Sequence, residues 1–115
     1  MTVFVLALAI STSITTLQRA YKAGVKIAFG TDAGLFEHGR NGEEFALLVK
    51  NGLTNREALA SATTVAAKAL GMEGELGQIA PGFSADLIAV DANPLVDIRT
   101  LEKVRWVMER GRVAP

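Results

Sequence analysis

The sequence predicts a small α/β protein. An amphipathic helical pattern over residues 11–24 leads into a short apolar segment, residues 25–29, which is typical of a helix followed by a strand. Four of the five residues 25–29 are apolar without strict alternation, which indicates a strand that is covered on both faces, as in a parallel sheet. Helical patterns continue to residue 71, and from residue 74 the chain changes to short strands and turns.

Length and composition allow one globular unit and exclude several classes of protein. Half of the 115 residues are apolar and 21% are charged, which is unlike a disordered chain. The 12 basic residues balance the 12 acidic ones and form no basic block, so we expect no nucleic-acid partner. The absence of cysteine excludes disulfides, thiolate nucleophiles and iron–sulfur clusters.

The apolar run at residues 3–10 is interpreted as a buried strand or as the beginning of a helix. Its eight residues are fewer than the roughly 18 that a membrane-spanning helix needs, so we expect no membrane association. The preceding Met1 and Thr2 carry no positively charged side chain, which disfavours a secretory signal and favours a cytoplasmic location.

Local signals predict where the first helix ends and where the second begins. The helix at residues 11–24 is expected to end at Gly24, because glycine adopts the left-handed conformation that terminates helices. Asn41 is predicted to cap the next helix, with Glu44 reaching back to it from three residues on.

A second capping box opens the following helix. Thr54 and Glu57 have the spacing at which each side chain accepts a hydrogen bond from the other residue's backbone amide. The adjacent β-branched residues Thr63 and Thr64 are expected to break this helix in two, with one threonine capping the second piece.

The last third of the chain is predicted to contain short elements. They are a weak strand at residues 75–79, a strand at 85–90, a turn at 91–94 and one or two helical turns at 98–104. A hairpin around Arg110 and Gly111 is expected to join strands at residues 105–109 and 112–114. Trp106 lies in the first of these strands and is predicted to belong to the core.

Asp32 is the first candidate for a functional side chain. It lies just beyond the predicted strand at residues 25–29, at the strand end where α/β proteins bind ligands. A carboxylate there can bind a metal, act as a general base or accept a phosphoryl group, and the alternative is an Asx-turn within its own loop. His38, six residues on, is a candidate to line the same pocket, and the alternative is a solvated loop histidine.

Several segments together resemble the metal-dependent amidohydrolases. The segment GVKIAFGTDAG, residues 24–34, followed by His38-Gly39 and Asn41, resembles the eighth strand and following loop of that family. Similar segments follow at residues 44–54, 57–63, 66–71, 76–82, 85–91 and 104–113. The resemblance extends over residues 17–114 and leaves residues 1–10 unmatched. Within the family, the chain resembles imidazolonepropionase-like and Xaa-Pro or Xaa-Arg dipeptidase-like members.

The resemblance implies a fold and an activity. Residues 1–73 would be the C-terminal fragment of a (β/α)₈ barrel, with its last strand and following helices, and residues 74–115 part of a composite β-sandwich. The implied activity is hydrolysis of C–N bonds in small-molecule or dipeptide-like substrates, including cyclic amides. The implied cofactor is a divalent metal, zinc in the full-length family.

The resemblance also implies site residues. Asp32 matches the strand-eight aspartate, which binds the metal and carries a proton from the attacking water to the leaving amine. His38 matches a histidine near the mouth of the site and is interpreted as a substrate contact.

The chain departs from the family in its length and its ligands. A (β/α)₈ barrel needs about 250 residues, and the family's other histidine ligands are absent because His38 is the single histidine. We therefore expect the chain to be inactive alone and to be completed by an N-terminal portion. The unmatched residues 1–10 indicate a truncated or recombined reading frame. The alternative is a non-catalytic remnant that forms homo-oligomers through strand edges at residues 25–29 and 85–90. A phospho-acceptor module built on Asp32 is disfavoured, because no second acidic cluster accompanies it.

Overall fold

The computed structural model describes residues 3–5, 12–34 and 37–115. The elements in chain order are β1 (Val3–Val5), α1 (Thr12–Lys22), β2 (Lys26–Ala28), α2 (Glu43–Lys50), α3 (Asn55–Ser61), α4 (Thr64–Ala69), β3 (Leu87–Val90), a 3₁₀ helix (Ile98–Glu102), β4 (Val104–Glu109) and β5 (Arg112–Val113). None of the described helices is long and apolar enough to span a membrane.

The first part of the chain contains the predicted parallel αβ unit. Strand β1 pairs with β2 in parallel, with Phe4 opposite Ile27, and α1 connects the two strands. This confirms a strand within the run at residues 3–10, of which residues 6–10 lie outside the described residues. Adjacent Ile27 and Ala28 are both buried. Because neighbouring side chains point to opposite faces of a strand, β2 is covered on both faces, as predicted.

One hydrophobic core joins the helices to the 3₁₀ helix. Its buried members are Leu17, Ile27, Leu48, Leu53, Ala58, Ile98 and Leu101. The last two come from the 3₁₀ helix, which packs against α2. The contact is close, because a Cβ on Gly42 would lie 2.5 Å from the carbonyl oxygen of Leu101. The helical part of the chain and its C-terminal part therefore share one core.

The C-terminal strands form an antiparallel sheet in the order β3-β4-β5. The predicted hairpin is confirmed: Arg110 and Gly111 both have positive φ, at +48° and +78°, which suits a tight turn between β4 and β5. The prediction that Trp106 belongs to the core is wrong, since it is 36% exposed. Residues 104–107 are all exposed, so neither face of β4 is covered there by the described residues.

Two predictions for the middle of the chain need correction. Residues 75–79 form turns and bends and not a strand. The chain is held close to the helices there, because a Cβ on Gly77 would lie 2.7 Å from the carbonyl oxygen of Thr63. The predicted break at residues 63 and 64 is confirmed, and Thr63 is the N-cap residue of α4, but its side chain makes no capping hydrogen bond. The Thr63 hydroxyl donates instead to the carbonyl oxygen of Leu59 at 2.9 Å.

Candidate active site

Asp32 lies on the loop that follows the carboxyl end of β2. Its backbone is left-handed, with φ at +51°, a conformation that among the described non-glycine residues only Arg110 shares. Left-handed backbone costs an L-residue roughly 1–2 kcal/mol, and less for aspartate, whose short side chain tolerates it. Such outliers cluster at functional sites, where surrounding structure holds them.

The Asp32 side chain is exposed and, within the described part of the chain, makes no hydrogen bond or ion pair. An Asx-turn would place its carboxylate on the amide of Gly34, and the structure has no such bond. Among the described residues, none therefore occupies this carboxylate at the end of the buried strand.

His38 is exposed in a turn further along the same loop, next to Gly39 at φ +94°. No hydrogen bond or ion pair joins it to Asp32 or to any other residue in the described ranges. The structure thus places both predicted site residues on one loop, between β2 and α2, without a hydrogen bond or ion pair between them.

Asn41 does not cap α2, contrary to the prediction. The N-cap residue is Gly42, and no side chain caps the helix. The Asn41 amide donates instead to the hydroxyl of Thr31, with 2.9 Å between Nδ2 and Oγ1. An N-cap asparagine contributes about 1 kcal/mol to a helix, so this side chain stabilises the loop in place of the helix.

Glu44 is a buried carboxyl group that sequence reasoning assigned to the wrong role. It does not reach back to Asn41; it is only 8% exposed, and burial raises its pKa to about 7. Its neighbour Glu43 accepts two hydrogen bonds from Arg40 at 2.8 Å, which lower the pKa of Glu43. The spacing of Glu44 from Leu48 indicates its burial, because Glu44 lies one helical turn before buried Leu48 and so on the same face of α2.

The acidic and histidine side chains that the structure describes do not form a complete metal site. No group of three or more metal-binding side chains occurs in the described ranges. A catalytic zinc normally takes three protein ligands and a water. Asp32 could supply one ligand, and the remaining ligands would have to come from outside the described residues.

A cavity of about 480 Å³ lies at the other end of β2. It is lined by Gly24, Val25 and Lys26 from the strand entry and by Leu53 and Glu57 among others. This end of the strand is opposite the loop that carries Asp32, so the cavity is not the candidate active site.

Comparison with known proteins identifies relatives of known activity. Ochratoxinase from Aspergillus niger is 39% identical over 92 residues, which are 78% of this chain and 19% of that enzyme. A 5-methylthioadenosine/S-adenosylhomocysteine deaminase from Symbiobacterium thermophilum is 37% identical, over 68% of this chain and 20% of the deaminase. The chain thus spans about a fifth of the length of these relatives.

Solved structures agree with the sequence relatives. A Xaa-Pro dipeptidase with methionine bound in its active site matches with a TM-score of 0.85 and 48% identity, over 89% of this chain and 25% of the dipeptidase. A prolidase in complex with N-methylphosphonate-L-proline matches with a TM-score of 0.80 and 39% identity, over 90% of this chain and 26% of the prolidase. These matches confirm the dipeptidase-like resemblance.

The sequence profile of the amidohydrolase family matches residues 6–114. The match begins before residue 17, so the expectation that residues 1–10 are unrelated to the family is wrong for residues 6–10. With this profile matching nearly the whole sequence, the chain belongs to the amidohydrolase family.

Proposed function

We propose that this chain is the C-terminal portion of a cytoplasmic metal-dependent hydrolase that cleaves C–N bonds. The observation that carries the proposal is Asp32, an exposed carboxylate without a partner in the described residues, held in left-handed backbone after a buried parallel strand. Relatives named as a dipeptidase and a deaminase both break a bond between carbon and nitrogen. The substrate class is therefore a small amide or dipeptide-like molecule.

In this proposal Asp32 contributes one ligand to a divalent metal, zinc, and moves a proton from water to the leaving amine. His38, on the same exposed loop, contacts the substrate. Residues 1–73 form the last part of a (β/α)₈ barrel, and residues 74–115 form part of a composite β-sandwich. The parallel pairing of β1 and β2 and the antiparallel sheet of β3, β4 and β5 are consistent with this division.

The other metal ligands belong to the remainder of the protein. The chain spans only 19–26% of the relatives described above, and its described residues hold no complete metal site. We therefore expect the 115-residue chain to be inactive alone and to become active when an N-terminal portion completes it.

A chimaera tests the proposal. This chain replaces the matching quarter of the Xaa-Pro dipeptidase that is 48% identical to it, and hydrolysis of Xaa-Pro dipeptides is measured with added zinc. Asp32→Asn is expected to lower kcat at least about 100-fold, the usual contribution of a proton-transferring group.

Asp91→Asn is the matched control, because Asp91 is an exposed aspartate that pairs with Arg105 at 2.7 Å, far along the chain from the loop. It is expected to retain activity. Equal activity of the Asp32→Asn chimaera and its parent would contradict the role of Asp32. A folded chimaera without any amidase activity would contradict the proposed function.

A second candidate is self-association as a non-catalytic remnant. The observation in its favour is the apolar exposure of the C-terminal sheet, where Ile88 and its cross-strand neighbour Val107 are 53% and 41% exposed. Sedimentation at micromolar concentration distinguishes the two candidates, since a single monomeric species would contradict self-association.

A further inference from the structure

The Asn41 side chain connects the two ends of the candidate loop. Its amide bonds to Thr31, ten residues earlier in the chain, while α2 has no side-chain cap. A residue that served only to stabilise the helix would act better as its cap. The observed geometry therefore indicates a role in the loop.

The two hydrogen-bonded residues flank both candidate residues in the sequence. Thr31 immediately precedes Asp32, and Asn41 follows His38 by three residues. A second contact joins the same two parts of the chain, because the ring of Phe29, before the loop, stacks on the ring of Phe45 in α2, with 4.4 Å between centroids. The loop is thus closed by a polar and an aromatic contact.

We propose that Thr31 and Asn41 are positioning residues that hold Asp32 in its left-handed conformation. The inference rests on the proposed function, in which Asp32 meets the metal and the substrate. Left-handed backbone at φ +51° costs some free energy even for aspartate, so surrounding contacts that restrain it favour this conformation. The hydrogen bond one residue away supplies such a restraint, and neither Thr31 nor Asn41 needs to touch the substrate.

The test removes the hydrogen bond from either side. Thr31→Val keeps the shape of the side chain and removes the acceptor oxygen, and Asn41→Ala removes the donor. Thr31→Ser keeps the hydroxyl and removes only the methyl group. Thr64→Val is the matched control, since Thr64 is an exposed threonine on α4 whose side chain makes no hydrogen bond in the described part of the chain.

Two readouts are made on the 115-residue chain itself. The backbone ¹³C chemical shifts of Asp32 report its φ, and the rate of trypsin cleavage after Arg40 reports opening of the loop. In Thr31→Val we expect the Asp32 shifts to move toward loop-averaged values and cleavage to become about fivefold faster, the factor that corresponds to a bond of about 1 kcal/mol. Asn41→Ala is expected to move the Asp32 shifts equally, and the double variant no further.

The Thr31→Ser variant and the control are expected to match the parent in both readouts. Parent-like Asp32 shifts in both Thr31→Val and Asn41→Ala would overturn the inference, and so would a Thr31→Ser variant that behaves like Thr31→Val. A urea midpoint is recorded for each variant to separate loop opening from global unfolding. Because neither readout uses activity, this failure is distinguishable from failure of the chimaera.

Discussion

Replacing Glu44 by glutamine should stabilise the protein at high pH and leave it unchanged at low pH. A pKa of about 7 in place of 4.5 means that the folded protein disfavours the ionised carboxyl by about 3 kcal/mol. The cause is burial, because Glu44 is 8% exposed and no described residue donates a hydrogen bond to it.

The pH dependence follows from the direction of this pKa change. The folded pKa lies above the unfolded one, so the contribution of Glu44 is fully present below about pH 4.5 and is lost as pH rises toward 7. The positive end of α2 favours a charge in its first turn by about 0.3–1 kcal/mol, which is smaller than the cost of burial. We therefore expect Glu44→Gln to raise the free energy of unfolding by about 2–3 kcal/mol at pH 8 and by almost nothing at pH 4.

Urea-induced unfolding at pH 4 and pH 8 measures this difference, and Glu43→Gln is the control. Glu43 is adjacent, its side chain is 45% exposed, and its pKa is lowered by the pair with Arg40. Its stabilising contribution is therefore present at pH 8 and is lost on acidification, so Glu43→Gln should not stabilise the protein at pH 8. Equal midpoints of Glu44→Gln and the parent at pH 8 would refute the reasoning, as would a stabilisation that is the same at both pH values.

Three further changes test other contacts. Gly42→Ala directs a Cβ toward the Leu101 carbonyl, and we expect a loss of about 1–3 kcal/mol in urea. Gly74→Ala is the control, because its Cβ would meet nothing within 4 Å, and its urea midpoint should stay near that of the parent. Equal midpoints of Gly42→Ala and the parent would contradict the close approach. Thr54→Ala removes the α3 capping box and should lower the melting temperature by roughly 4–8 °C in calorimetry, whereas an unchanged value would show the cap to be dispensable. Asp32→Gly relieves left-handed backbone and should raise the free energy of unfolding by about 0.5–1 kcal/mol, whereas a loss would reveal an unrecognised contact.

Features that depend only on residues close together in the sequence agree with the sequence-based predictions. The Thr54 and Glu57 capping box is present with both of its reciprocal hydrogen bonds. Gly24 ends α1 at φ +77°, and the Arg110-Gly111 turn joins β4 to β5. Each of these depends on one residue's backbone preference or on partners three residues apart, and that information is present in the local sequence.

Features with distant partners could not be predicted in the same way. Asn41 and Glu44 have the same capping-box spacing as the pair that opens α3, yet neither caps α2. The hydroxyl of Thr31 accepts the Asn41 amide across the loop, and Glu44 lies on the helix face that Leu48 buries in the core. Local spacing indicates which groups a side chain can reach along its own helix. It carries no information about residues that are distant in sequence and pack against that helix.

The sequence by itself determined the αβ unit, the family and the position of Asp32 just beyond a buried strand, because periodicity, glycine positions and motifs are properties of short segments. The tertiary structure alone decided that Asn41 holds the loop, that Glu44 is buried and that Trp106 is exposed. These outcomes depend on which parts of the chain pack against each other, and the free energy of each contact depends on groups that are far apart in sequence.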